Sequence, residues 1–148
     1  MEYHIERLAP QPAAVIRARV AVDGIPAFLA GAYGDVIDVL AEQRMEVAGP
    51  PFARYAMSDR GFDVEAGFPT NESIVPTGRV EAGELPGGPA LVVLHRFGYT
   101  DIEDEVRTAQ EWLAANRWTA TGAPWESYLD GPEVAEPRTL VYMPCRPA

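Results

Sequence analysis

The chain has 148 residues, with 12 basic side chains, all of them arginine, against 22 acidic ones and a net charge of −10. A field of that sign repels phosphate backbones, so direct nucleic-acid binding is not expected. The absence of lysine removes Schiff-base chemistry and P-loops. The length suits one domain with its own core, over residues 1–148. There is no apolar run of about 18 residues, and the opening MEYHIERLAP lacks the segments of a signal peptide. The expectation is a cytoplasmic protein without membrane contact. Cys145 has no partner for a disulfide, and two histidines, His4 and His95, cannot make a histidine-rich metal site. No metal and no cofactor are expected.

In chain order, AAVIRARVAV (13–22) is β-branched and apolar, which predicts a strand. Pro26 then suits the opening turn of a helix whose apolar positions Ile25, Leu29, Ala32, Val36 and Leu40 keep the 3.6-residue period. Gly31 and Gly34 inside it are expected to permit close packing against a sheet. After GPPFARY (49–55) and the turn Ser58–Gly61 comes a strand, FDVEAGFP (62–69). The linker TNESIVPTG (70–78) and a strand RVEAGEL (79–85) follow.

The pattern then starts again. ALVVLHRFGY (90–99) predicts a strand, and Thr100 with Glu103 makes a capping box. Asp101, Glu103, Asp104 and Glu105 crowd the first turn of the helix, where its dipole favours them, and Ile102, Val106, Ala109 and Leu113 form one stripe. After GAPWESY (122–128) and the loop Gly131–Pro137, the strand RTLVYMP (138–144) closes the sequence.

GPPFARY and GAPWESY are copies of one phrase. The offset 122 − 49 = 73 carries Pro51 to Pro124, Phe52 to Trp125 and Tyr55 to Tyr128. Two βαββ units in so short a chain cannot each bury a sheet alone. The expected fold is α+β: duplicated βαββ units, halves 13–69 and 79–144, related by a pseudo-two-fold axis, with antiparallel sheets around a central ligand cleft and two main helices.

Strand alternation puts Glu126 and Tyr128 on one face and Trp125, Ser127 and Leu129 on the other. The repeat aligns Ala53, Tyr55 and Met57 with Glu126, Tyr128 and Asp130. One wall of the groove then offers Tyr55 and Met57, and the other Glu126 and Tyr128. Phe68, Trp112, Trp125 and Tyr142 are further candidates to line it. Aromatic faces with one carboxylate suit a bulky organic cation, each cation–π contact contributing about 0.5–2 kcal/mol. Plain packing is the commoner role for a strand tyrosine and for Trp112 beside the helix stripe. A carboxylate between Trp125 and Tyr128 fits packing poorly, although an exposed strand face would accept it without any function. His95, on the face of Val93, reads as a core-edge histidine, and Met143, like Phe68, as core at the edge of the groove. Tyr33 and Tyr99 have no assignable orientation.

GPPFARY followed by VEAGFP, then ELPGGPALVVLHRFGY, a helix carrying EWL, GAPWESYLDGP and a last strand ending in proline resembles the GyrI-like family from about Ala14 to Pro144. This is the small-molecule-binding domain also found as effector domain of bacterial multidrug-responsive transcription activators. The resemblance implies a cleft for hydrophobic, often cationic compounds, with Glu126 at the family's cleft glutamate and Tyr128 at its tyrosine. Some stand-alone members are hydrolases that open strained cyclopropane rings of DNA-alkylating natural products, with Glu126 and Tyr128 then the catalytic positions. Activator members carry a helix-turn-helix domain in front. With the first expected strand at Ala13, none is expected here.

Three readings follow: a stand-alone binding protein for hydrophobic or cationic small molecules, with a homodimer allowed; a hydrolase using the same cleft; and an inhibitor of a nucleic-acid enzyme, as some relatives are for DNA gyrase. The third ranks last because the acidic residues are scattered along the chain.

Overall fold

The computed structural model describes residues 3–59, 61–95, 102–131 and 133–148. In chain order the strands are β1 (Tyr3–Leu8), β2 (Gln11–Val20), β3 (Phe52–Ser58), β4 (Gly61–Pro69), β5 (Glu81–Leu85), β6 (Gly88–His95), β7 (Trp118–Ala120), β8 (Trp125–Tyr128) and β9 (Thr139–Pro147). The helices are α1 (Ile25–Glu42) and α2 (Ile102–Ala115). The chain divides into two compact units: Pro10–Pro86, and Met1–Ala9 with Gly87–Ala148.

Each unit is a βαββ element with added strands, β5 in the first and β1 and β7 in the second, and all pairings within each are antiparallel. In the first unit the order is β3-β4-β2-β5, and in the second it is β8-β9-β6-β1. The fold class is α+β, as the doubled sequence predicts. Two strands were not expected. In β1, Tyr3 and Ile5 alternate with His4 and Glu6, a signal spread over too few residues to stand out. In the three-residue β7, Trp118–Ala120 pairs with Cys145–Pro147 at the far end of β9.

In the first unit, α1 buries Ile25, Ala32, Val36, Val39 and Leu40. Tyr33 lies edge-on to Phe68, with ring centroids 5.6 Å apart, and its hydroxyl donates to the Phe52 carbonyl at 2.9 Å. These contacts set α1 on the face that carries Phe68, Ala14 and Ile16. By length and composition Val22–Glu42 is apolar enough to cross a membrane, although it includes Asp35 and Asp38. The other face of the sheet carries a charged row. Arg17 donates to Glu65 at 2.7 Å and to Glu81 at 2.8 Å, and Arg19 to Asp63 at 2.9 Å. Exposed pairs of this kind contribute at most about 1 kcal/mol each.

The glycines act differently from expectation. A side chain at Gly31 or Gly34 would meet nothing within 4 Å, and both are exposed, so neither permits close packing. The close approach occurs at Gly67, where a Cβ would overlap the Ala14 carbonyl on β2. That explains the GFP phrase at 67–69 through backbone contact.

In the second unit, α2 packs Ala109 and Leu113 on Leu91, Val93, Val141, Met143 and Cys145, with Val106, Trp112, Tyr3 and Ile5 around them. Burial raises the pKa of the Cys145 thiol above its usual value, and a backbone hydrogen bond from Leu91 offsets part of the rise. Leu40 and Leu113, 113 − 40 = 73 apart, are equivalent buried positions on the two helices. The helix ends repeat as well. Arg44 (φ 54°) and Arg117 (φ 64°) are both left-handed, again 117 − 44 = 73 apart. At the first, the amide of Met45 reaches back to the Leu40 carbonyl at 2.9 Å, closing the turn as a left-handed cap does. The expected capping box at Thr100, with Asp101 and Tyr99, lies outside the described residues, as do Arg60 in the first turn and the side chain of Glu103.

Candidate functional site

Register decides which candidates share a surface, because side chains on directly paired residues point to the same face. Across the second unit, Tyr3, Val93, Val141 and Glu126 form one row, and His95, Thr139 and Tyr128 form the next. Val93 and Val141 belong to the core under α2, so Glu126 and Tyr128 stand on the helix-bearing face, on β8, next to β9. Both are half-buried. The Tyr128 hydroxyl donates to Glu126 Oε1 at 3.1 Å. A strand alternation read from the phrase WESY therefore places carboxylate and phenol together, as expected.

Trp125 and Tyr142 occupy the opposite face of the same sheet. They pair directly across β8 and β9 and stack with centroids 5.1 Å apart and planes 11° from parallel. Only 3% of Trp125 is exposed. Burial, and secondarily the charge of Glu6, push the Tyr142 phenol pKa above its usual value. The pair is thus separated from Glu126 by the thickness of the sheet.

Trp112 is also apart from Glu126. It stacks on Tyr3, with centroids 5.7 Å apart and 17° between planes. Tyr3 is at the other end of the row, three strand spacings or about 14 Å from Glu126. The reason is β1: its pairing with β6 supplies the ring that receives Trp112.

In the first unit the repeat's counterparts sit on the equivalent face. Ala53 pairs with Ala66, and Tyr55 with Val64. Tyr55 is only 5% exposed and packs edge-on to Phe62 at 6.1 Å. Met57 is 62% exposed, and Phe68 is half-buried beneath Tyr33. Tyr33, left without an orientation by the sequence, thus lies over the sheet. Met143 is core, 1% exposed, and His95 is half-buried at the end of β6. Thr139, between His95 and Tyr128, was not among the sequence candidates. Its signal was register, which no single strand carries.

Among the described residues no three His, Cys, Asp or Glu side chains gather as they would around a metal. The loop after Tyr128 is closed by Asp130, which accepts from the Arg138 backbone amide at 3.0 Å and from its guanidinium at 2.8 and 3.1 Å. The side-chain and backbone hydrogen bonds of Arg138 lower the Asp130 pKa to about 2.

Solved structures with the same fold include the EcmrR C-terminal domain, 17% identical, with a TM-score of 0.84 over 99% of this chain and 98% of that one. In the EcmrR–DNA complex of EcmrR-RPo, 18% identical with a TM-score of 0.84, 99% of this chain is matched but it spans only 58% of the EcmrR chain. SAV2435 bound to tetraphenylphosphonium, 14% identical, has a TM-score of 0.70, with 99% and 94% of the two chains covered. A hydrolase from Listeria innocua, 14% identical, gives 0.62 with 98% and 92% covered. No curated protein matches the chain. The GyrI-like small molecule binding domain matches residues 1–146, and the chain belongs to that family.

Proposed function

We propose that this protein binds hydrophobic, often cationic small molecules in an aromatic cleft that includes Glu126, without acting on nucleic acid. The observation that carries the reading is the half-buried carboxylate of Glu126 beside the Tyr128 phenol on the helix-bearing face of its sheet. A carboxylate partly removed from water attracts a cation more strongly than a surface one does. A delocalised organic cation surrenders little hydration on entering such a place. The half-buried ring of Tyr128, on the same face as Glu126, offers an aromatic surface for the apolar body. Tetraphenylphosphonium, the molecule bound to SAV2435, is the natural first probe. Titration by calorimetry against tetraphenylphosphonium and neutral triphenylphosphine oxide tests the reading. It requires saturable binding with preference for the cation, and equal or absent binding of both contradicts it.

A second reading uses the same pair in catalysis, favoured by the 3.1 Å hydrogen bond. Glu126 takes a proton from water as its oxygen attacks a strained cyclopropane carbon. The broken C–C bond leaves its electrons on the ligand, which Tyr128 protonates. Incubation with a cyclopropane-bearing alkylator, followed by mass spectrometry, separates the two: a ring-opened water adduct that vanishes in Glu126→Gln marks an enzyme, and unchanged ligand marks a binding protein.

A further inference from the structure

Strand β1 pairs with β6, and among the described residues no strand flanks its other edge. A proline on β9 fixes which backbone groups of β1 face outward. The Pro144 carbonyl accepts from the Thr121 amide at 2.9 Å, so Pro144 turns its polar backbone away from β6. Its partner Ala90 therefore sits at a pair without ladder bonds to β9, and its own N–H and C=O are directed at Glu6 on β1. Backbone groups alternate in direction along a strand. His4 and Glu6 thus bond to β6, while Tyr3, Ile5 and Arg7 present donors and acceptors to the open edge. One face of the strand carries His4 and Glu6, both exposed and joined at 2.8 Å, and the other carries Tyr3, Ile5 and the exposed Arg7.

From this edge we infer that a second copy of the chain pairs its β1 with this one, antiparallel and centred on Ile5. Ile5 then faces Ile5 of the other copy, while Tyr3 faces Arg7 and His4 faces Glu6, each twice. The outward groups of Tyr3, Ile5 and Arg7 supply the ladder bonds. His4 and Glu6 fall between those bonds, where opposed side chains stand nearest, with Cα atoms about 4.5 Å apart. There a protonated imidazole meets a carboxylate, and a neutral one donates its ring N–H to it. The Arg7 guanidinium meets the Tyr3 ring. Slipping the pair by two residues in either direction sets Glu6 against Glu6 or His4 against His4, so charge selects the central register. The edge strand of the first unit, β5, carries Glu81 and Glu84 and no base, and has no such match with itself. Two-fold pairing of β1 closes at two copies. The interface does not use Glu126 and stands apart from the binding function proposed above.

Strands of 6 residues make a small contact, at the transient end of protein interfaces. The test is sedimentation velocity of the full chain at neutral pH and about 0.15 M salt, which screens the net charge of −10 on each copy. Monomer is expected at about 1 µM and dimer near 1 mM, roughly the range of such contacts. Arg7→Pro removes an outward N–H without touching a bond to β6, and should weaken the dimer at least about tenfold with the fold unchanged by circular dichroism. His4→Glu sets like charges against each other and should do the same, and adding Glu6→Arg to His4→Glu should restore the dimer. The charge variants decide the matter if Arg7→Pro does not fold. A chain that stays monomeric near 1 mM, or a dimer that the charge reversal leaves unchanged, overturns the inference.

Discussion

Tyr142 pairs with Trp125 across β8 and β9 in the same register as Gly67 pairs with Phe52 across β3 and β4. One unit therefore has a stacked ring where the other has a bare backbone against the Ala14 carbonyl. The doubled phrase keeps its backbone and exchanges its side chains, which is how two equivalent strands come to serve different purposes.

The stack on that face is expected to contribute to stability. Trp125→Ala should destabilise the protein by about 3–5 kcal/mol, the usual cost of removing a buried aromatic side chain. The milder Trp125→Phe should keep the protein folded and preserve the preference for cations over neutral analogues. Denaturant unfolding and ligand titration on the same two variants check both halves. A lost charge preference in a folded Trp125→Phe would place the stack in the binding site instead.

Helix α1 carries removable strain. Gly31→Ala and Gly34→Ala fill open space on exposed helical positions, and each should raise stability by up to about 1 kcal/mol. Arg44→Gly relieves a left-handed backbone at the helix end and should stabilise by a similar amount, about 1 kcal/mol. Thermal melts should show additive gains for Arg44→Gly with either alanine, since Arg44 lies beyond the other end of the helix. A loss on either alanine substitution would show that the glycines pack against something after all.

Acid should loosen the second unit at Asp130. Its pKa in the folded chain is about 2, below its ordinary 3.8, because Arg138 donates to it. Stability from this group is fully present above its unfolded value and is lost as pH falls from about 4 toward 2. The variant Asp130→Asn should be less stable at neutral pH and flatter over that window. Parallel acid titrations followed by circular dichroism compare the slopes, and identical slopes would remove Asp130 from the acid response.

Much of this was legible in the sequence. The 73-residue offset identified both copies of the phrase, and 3.6-residue periodicity located the buried stripes of both helices at Val36, Leu40, Ala109 and Leu113. Alternation within WESY placed Glu126 with Tyr128 and away from Trp125. What escaped depends on partners distant in the chain. Trp112 could not be assigned without knowing that Tyr3 on β1 lies beneath it, and Thr139 meant nothing until register set it between His95 and Tyr128. Gly31 and Gly67 look alike in sequence, yet one faces open space and the other a carbonyl.

The most direct measurement is the affinity of Glu126→Gln for tetraphenylphosphonium and for triphenylphosphine oxide, set against the wild type. The substitution keeps the size and one acceptor oxygen for the Tyr128 hydroxyl, removes the charge and turns the second oxygen into a donor. Affinity for the cation should fall at least about tenfold, or 1.4 kcal/mol, while the neutral compound binds as before. Equal affinities for the cation in both proteins would contradict the role given to this carboxylate.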